Sequence, residues 1–266
     1  MFEYAGSLVG TAPIVRPFLI SETCYVGQLC STGLTAHAGG AVQIADAAGA
    51  AHEDATPIVG IVAAVRNLED AGYNSTYKGE TATYDTAQAD LVANDPIGPC
   101  EVDVILCLPG ITLIRGPIWN ATDGTAITEL TETTGSADGS TVTHANDTAI
   151  DYADSLNAIC YCRKGANAGQ YRYISAPQTG SQTLHVCFSY DIAIGDVFVT
   201  APFGPGPGCL QIPAGANFID ASGALSAYFD IFCIDLDLSE KGKERAVFTL
   251  CASCSAFGGG ISYLAG

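Results

Sequence analysis

Apolar residues in this chain come in strand-length runs, each cut short by Gly, Pro, Thr, Ser, Asn or Asp. Ile58-Val59-Gly60-Ile61-Val62, Cys100-Glu101-Val102-Asp103-Val104-Ile105-Leu106-Cys107 and Asp196-Val197-Phe198-Val199 all follow this pattern. A helical core needs about 10–12 residues of 3.6-periodic pattern, which these runs do not supply. Sheets do accept them, because β-branched and aromatic side chains fit a pleated, half-buried surface. The expected fold is all-β, with two mostly antiparallel β-barrel or β-sandwich domains and long loops. Residues 1–116 read as barrel-like and residues 117–266 as sandwich-like.

The first part reads as short strands in succession: Pro13-Ile14-Val15, Phe18-Leu19-Ile20, Thr23-Cys24-Tyr25-Val26, Gly27-Gln28-Leu29-Cys30, Ala41-Val42-Gln43-Ile44-Ala45, then Pro57 to Val62. Asn67 to Thr83 is polar and turn-rich and reads as an exposed loop. At Cys100 alternation resumes, with Val102 and Val104 on one face of a strand and Glu101 and Asp103 on the other. Thr122 to Thr148 is rich in Thr, Ser, Asp and Gly and reads as a solvated loop or hairpin. Its Asp138-Gly139 turn signal would pair Thr125–Thr131 with Ser140–Thr143. Ala227 to Leu236 reads as a long strand, with Ala246 to Cys251 as its hairpin partner across Leu238 to Lys243.

Charge excludes some partners. The chain carries 28 Asp and Glu against 10 Lys and Arg, a net charge of −18. Nucleic-acid binders present a positive footprint that neutralises phosphates, so contact with nucleic acid or an anionic membrane is not expected. No stretch approaches the roughly 18 consecutive apolar residues of a membrane helix. Met1 to Ser7 lacks the basic start and apolar core of a secretory leader, so synthesis in a cytoplasm without export by a classical signal is expected. Only 14% of residues are charged, below the usual ~25%. A surface so neutral and hydroxyl-rich suits packing against other protein.

The eleven cysteines are odd in number and sit mostly within strand-like runs. That placement reads as reduced, buried thiols acting as small hydrophobes. Cys251-Ala252-Ser253-Cys254 has CxxC spacing, but a structural zinc site needs about four ligands, and His37, His52, His144 and His185 are scattered. A single disulfide at Cys251 and Cys254, formed in an oxidising medium, is the alternative there. No phosphate-cradling loop and no Gly-x-Ser-x-Gly elbow is present. Asp235 and Asp237 share a strand face as a glycosidase pair would, yet the single Trp119 offers little sugar-stacking surface. No catalytic residue, cofactor or metal is therefore assigned.

The sharpest local feature is Tyr161-Cys162-Arg163-Lys164-Gly165-Ala166-Asn167-Ala168-Gly169-Gln170-Tyr171-Arg172, a strand end, a basic turn and a second strand. It resembles segments of structural proteins of tailed bacteriophages, as does Tyr190 to Val199. The stretch from Pro57 to Leu113 resembles small β-barrel capsid decoration proteins. That resemblance implies a virion protein assembled in a host cytoplasm and placed on the capsid exterior, a decoration or cement protein that binds and reinforces an HK97-like shell of major capsid protein as a homo-oligomer. Alternatives are another virion component (head spike, fibre base or tail-tube subunit), an extracellular filament or surface-layer subunit, and a carbohydrate-binding β-sandwich. Arg163, Lys164, Asn167 and Arg172 are the candidate subunit contact, the basic groups pairing with acidic groups on a neighbour.

Overall fold

A computed structural model of the protein describes residues 1–20, 26–32, 41–44, 57–66, 100–119, 127, 129–145, 157–178, 180–212, 218–221 and 229–257. These residues are all-β, organised as one closed barrel and two six-stranded sheets. The loop expected over Asn67–Thr83 lies outside the described residues, as do Thr23–Tyr25.

The barrel is built from β2 (Val15–Ile20), β3 (Leu29–Thr32), β4 (Ala41–Ile44), β5 (Ile58–Arg66) and β6 (Cys100–Leu106). Its strand order is β2-β4-β3-β5-β6, with only the β2–β4 pair parallel. Val102 and Val104 point inward as their alternation requires, and pack with Cys30, Val42, Val59 and Val62.

The central sheet joins β1 (Glu3–Ser7), β7 (Thr112–Trp119), β14 (Gly206–Leu210), β16 (Phe229–Asp237) and β17 (Arg245–Leu250) in the order β1-β7-β17-β16-β14; β15 (Ile219–Asp220) pairs with β7 in parallel. The hairpin expected from Ala227–Leu236 and Ala246–Cys251 is β16 with β17, antiparallel. In β7, Thr112, Ile114, Gly116 and Ile118 are buried and Arg115 and Trp119 exposed, the period-2 signature of a sheet with one covered face. Gly116 is required by packing: a Cβ there would lie 2.4 Å from the Phe2 ring, which sits edge-on to Phe248.

The second six-stranded sheet comprises β8 (Leu130–Thr131), β9 (Thr141–Thr143), β10 (Ile159–Lys164), β11 (Tyr171–Gln178), β12 (Ser181–Leu184) and β13 (Val197–Ala201), in the order β8-β13-β10-β11-β12-β9. Its two ends meet. Glu132 bridges His144, and the Thr133 N–H donates to the Thr143 carbonyl at 2.9 Å, so the sheet curls toward closure. The Asp138-Gly139 turn forms, with Gly139 in the left-handed region at φ 65°, but among the described residues it does not pair Thr125–Thr131 with Ser140–Thr143. Instead β8 pairs with β13 and β9 with β12, and only Glu132 and Thr133 reach His144 and Thr143 where the sheet ends meet. Leu130, Val142, Cys160, Cys162, Phe188 and Phe198 fill the interior.

The boundary expected between residues 116 and 117 falls inside β7, which hydrogen-bonds β1 on one side and β17 on the other. One buried cluster draws Leu29, Ile58 and Ile61 from the barrel, Ile114 and Phe248 from the central sheet, and Ile159, Val199 and Phe203 from the C-terminal region. Domain boundaries are places where few contacts cross, and a shared core crosses this one.

Candidate functional site

The basic turn joins β10 to β11. Its neck is closed by two backbone bonds, Cys162 N–H to the Gln170 carbonyl and Gly169 N–H to the Cys162 carbonyl, each 2.9 Å. Gly165 adopts φ 129°, and a Cβ there would fall 2.3 Å from the Asp196 carboxylate. Both the backbone conformation and the close approach demand glycine.

Arg163 points into the protein rather than toward a partner, its side chain only 5% exposed. Nε donates to the Leu238 carbonyl at 2.7 Å, one terminal nitrogen to Glu129 Oε1 at 3.0 Å and the other to Glu244 Oε1. Glu244 is fully buried, while Glu129 is about one-third exposed and also pairs with Lys241 at 3.2 Å. Burial works against the Glu129 charge, but hydrogen bonds from Arg163 and Lys241 outweigh it and hold its carboxyl below the usual range. The planar guanidinium matches three acceptors at fixed angles, which Lys could not do.

Asn167 is fully buried. Its Nδ2 donates to the Tyr190 carbonyl at 2.9 Å and its Oδ1 accepts from the Tyr190 N–H at 3.0 Å. The amide imitates one rung of a sheet ladder and pins the 185–196 loop to the turn. Arg172 is likewise engaged within the chain: Nε donates to the Cys187 carbonyl at 2.9 Å, another nitrogen to Gln170 Oε1 at 3.0 Å, and the guanidinium lies 5.0 Å from the Phe188 ring centroid. Of the four expected contact residues only Lys164 is exposed. The turn is a joint of the fold, with one cation at its surface.

The local reading of basic residues missed a second grouping that only topology assembles. Arg115 on β7 and Arg245 on β17 lie two ladder positions apart, with Arg245 opposite Pro117 and Arg115 opposite Glu3 and Val247. With Glu3, Lys243 and Glu244 they line a cleft of about 230 Å³ at one end of edge strand β1. At the other end of β1, every residue from Leu8 to Pro17 is exposed. Leu8, Val9, Ile14 and Val15 are 52, 63, 42 and 41% exposed, a local concentration of apolar surface.

Of the nine cysteines whose side chains are described, seven are buried and none is in a disulfide; Cys187 is exposed and Cys251 half-buried. Among the described residues no three His, Cys, Asp or Glu side chains are grouped to hold a metal ion, and no helix is long and apolar enough to cross a membrane. Asp235 and Asp237 are spent locally: Asp235 accepts from the Leu236 N–H, and Asp237 accepts from the Ser239 N–H and hydroxyl. Compared with known proteins, the chain matches no family model, no curated protein and no solved structure.

Proposed function

We propose that the protein is a virion structural protein, a capsid decoration or cement protein that docks as a homo-oligomer on the outer surface of an HK97-like shell. The observation that carries this reading is the exposed apolar run Leu8–Val15, set beside an edge strand whose far end bears the Arg115, Lys243 and Arg245 cleft. Four exposed aliphatic side chains gathered within eight residues make a local apolar patch, and such patches mark interaction sites. β1 pairs only with β7 among the described residues, leaving its other edge open to a neighbouring strand. The cleft supplies cations for acidic groups on the shell, where complementarity fixes register. Weak contacts suffice, since simultaneous engagement at many sites raises effective affinity.

Particles assembled with and without the chain test the reading. Bound chain should appear at copy numbers comparable to the major shell protein, and particles lacking it should break at lower temperature or under milder osmotic shock. Particles equally stable without it would remove the cement role, and a cryo-EM map placing it in a tail or fibre would reassign it to another virion component.

A further inference from the structure

The C-terminal turn holds two thiols for which docking has no use. After β17 the chain enters a short 3₁₀ helix, Ala252–Cys254. The Cys254 N–H donates to the Cys251 carbonyl at 3.1 Å. A bond of this i to i+3 type belongs to turns whose end Cα atoms lie within about 7 Å, and a disulfide spans Cα separations of about 4.4–6.8 Å. The turn therefore brings the pair within bonding reach.

The two cysteines differ in access. Cys251 is half-buried, whereas Cys254 is 4% exposed. Both are anchored on Asp230 of β16: Cys251 N–H donates to its carbonyl at 3.0 Å, and Cys254 Sγ accepts from its N–H at 3.1 Å. A third thiol, Cys209 on β14, lies 3.5 Å from Asp230 Oδ1. The next residue, Ser255, bridges Ile58 of the barrel and donates its hydroxyl to the Cys107 carbonyl at 3.0 Å. The state of these thiols therefore bears on the joint between central sheet and barrel.

We propose that Cys251 and Cys254 form a thiol–disulfide site that reacts with small disulfide oxidants of the glutathione class and fastens the C-terminal turn. Cys251 gives up its proton to solvent and attacks one sulfur of the oxidant; the oxidant's S–S bond breaks, a mixed disulfide forms on Cys251, and one thiolate leaves and takes up a proton. Cys254, deprotonated in turn, attacks Cys251 Sγ and expels the second small thiol. Two cysteine thiols are oxidised by two electrons, and one disulfide is reduced to two thiols. Burial first, and then the Asp230 carboxylate, raises the Cys251 thiol above its ordinary value, and burial raises Cys254. Exchange is therefore slow at neutral pH and quickens as pH rises. Closure turns Cys254 Sγ away from the Asp230 N–H.

The folded full-length chain is incubated with oxidised glutathione at about pH 8.5, near the ordinary thiol pKa, then unfolded, alkylated and digested with trypsin. Arg245 is the last Lys or Arg, so Cys251 and Cys254 fall in one peptide containing no other cysteine. The expected result is that this peptide escapes alkylation and loses about 2 Da, the mass of the two hydrogens removed on disulfide formation, while exposed Cys187 takes a glutathione. Cys254→Ser should leave a mixed disulfide stranded on Cys251, and the oxidised wild type should exchange its Asp230 amide about tenfold faster. Glutathione on Cys187 with both turn cysteines still alkylatable would overturn the proposal. So would a cross-linked pair of peptides joining Cys254 to Cys209.

Discussion

Arg163 and Glu244, 81 residues apart, meet as a buried ion pair that ties the second sheet to the β16–β17 hairpin. Removing one partner of such a pair strands a charge where water cannot reach it, which costs about 3–5 kcal/mol. Arg163→Ala is therefore expected to lower unfolding free energy by about that amount, measured by urea denaturation. Arg163→Lys should recover only part, because an ammonium cannot satisfy Glu129, Glu244 and the Leu238 carbonyl together. Lys164→Ala should change stability by less than about 0.5 kcal/mol. Equal, small effects of Arg163→Ala and Lys164→Ala would contradict the burial of Arg163.

Asn167 makes the second test of the turn. Asn167→Ala leaves the Tyr190 N–H and carbonyl without their side-chain partners, at about 1–3 kcal/mol for a buried group so abandoned. Asn167→Asp keeps the acceptor but loses the donor to the Tyr190 carbonyl and adds a buried charge, so it should be the worse of the two. Denaturation midpoints order the variants, and wild-type stability in both would place Asn167 outside the fold's joints.

The all-β class was legible because alternation is local: Val102 and Val104 on one face of β6, Ile114 and Ile118 on one face of β7, need no knowledge of partners. The Asp138-Gly139 turn and the β16–β17 hairpin were legible because their signals are local, but the partners of β8 and β9 were not, since β13 and β12 lie far off in sequence. The shared core was not, because β7 reads as the end of one unit until β1 and β17 are seen to flank it. The turn at Arg163 misled in the same way. A run of basic residues looks like a surface until Glu129, Leu238 and Glu244, all distant in sequence, converge on one guanidinium. Arg115 and Arg245 show the converse, cations that only a strand ladder makes neighbours.

Asp138 gives a pH signature. Its carboxylate accepts from the Ser140 hydroxyl, the Ser136 hydroxyl and the Ser140 N–H, which together hold its pKa down at about 2. A group depressed in the folded state contributes stability that is present above its unfolded value and lost as pH falls through the folded one. The window runs from the ordinary 3.8 down to about 2. Carboxyl chemical shifts should show Asp138 titrating near the bottom of that window, with the β8–β9 turn loosening alongside. Titration near 3.8 would refute the three hydrogen bonds.

Thiol accessibility should follow the fold. Burial pushes the Cys209 and Cys233 thiols up to about 12 and Cys162 to about 11, with nearby Asp carboxylates adding to the rise. Reactivity depends on exposure and on thiolate, so at mildly alkaline pH exposed Cys187 should label first and half-buried Cys251 next, while Cys30, Cys107, Cys160, Cys162, Cys209 and Cys233 wait for unfolding. Peptide mapping after timed alkylation reads the order. Rapid labelling of the buried set in the folded protein would contradict the core.

The exposed stretch from Leu8 to the first residue of β2 carries the functional prediction. Leu8, Val9, Ile14 and Val15 contribute little to the interior, so changing all four to Ser should leave the fold intact, each surface change worth less than about 0.5 kcal/mol. If the loop is the docking surface, the same variant should lose most of its occupancy on shells, because apolar burial is the main favourable term in protein association. Arg115→Glu with Arg245→Glu should weaken binding most at low salt, where screening is least. Circular dichroism confirms folding, and co-sedimentation with particles measures occupancy. A folded loop variant that binds shells as well as wild type would move the interface elsewhere on the molecule.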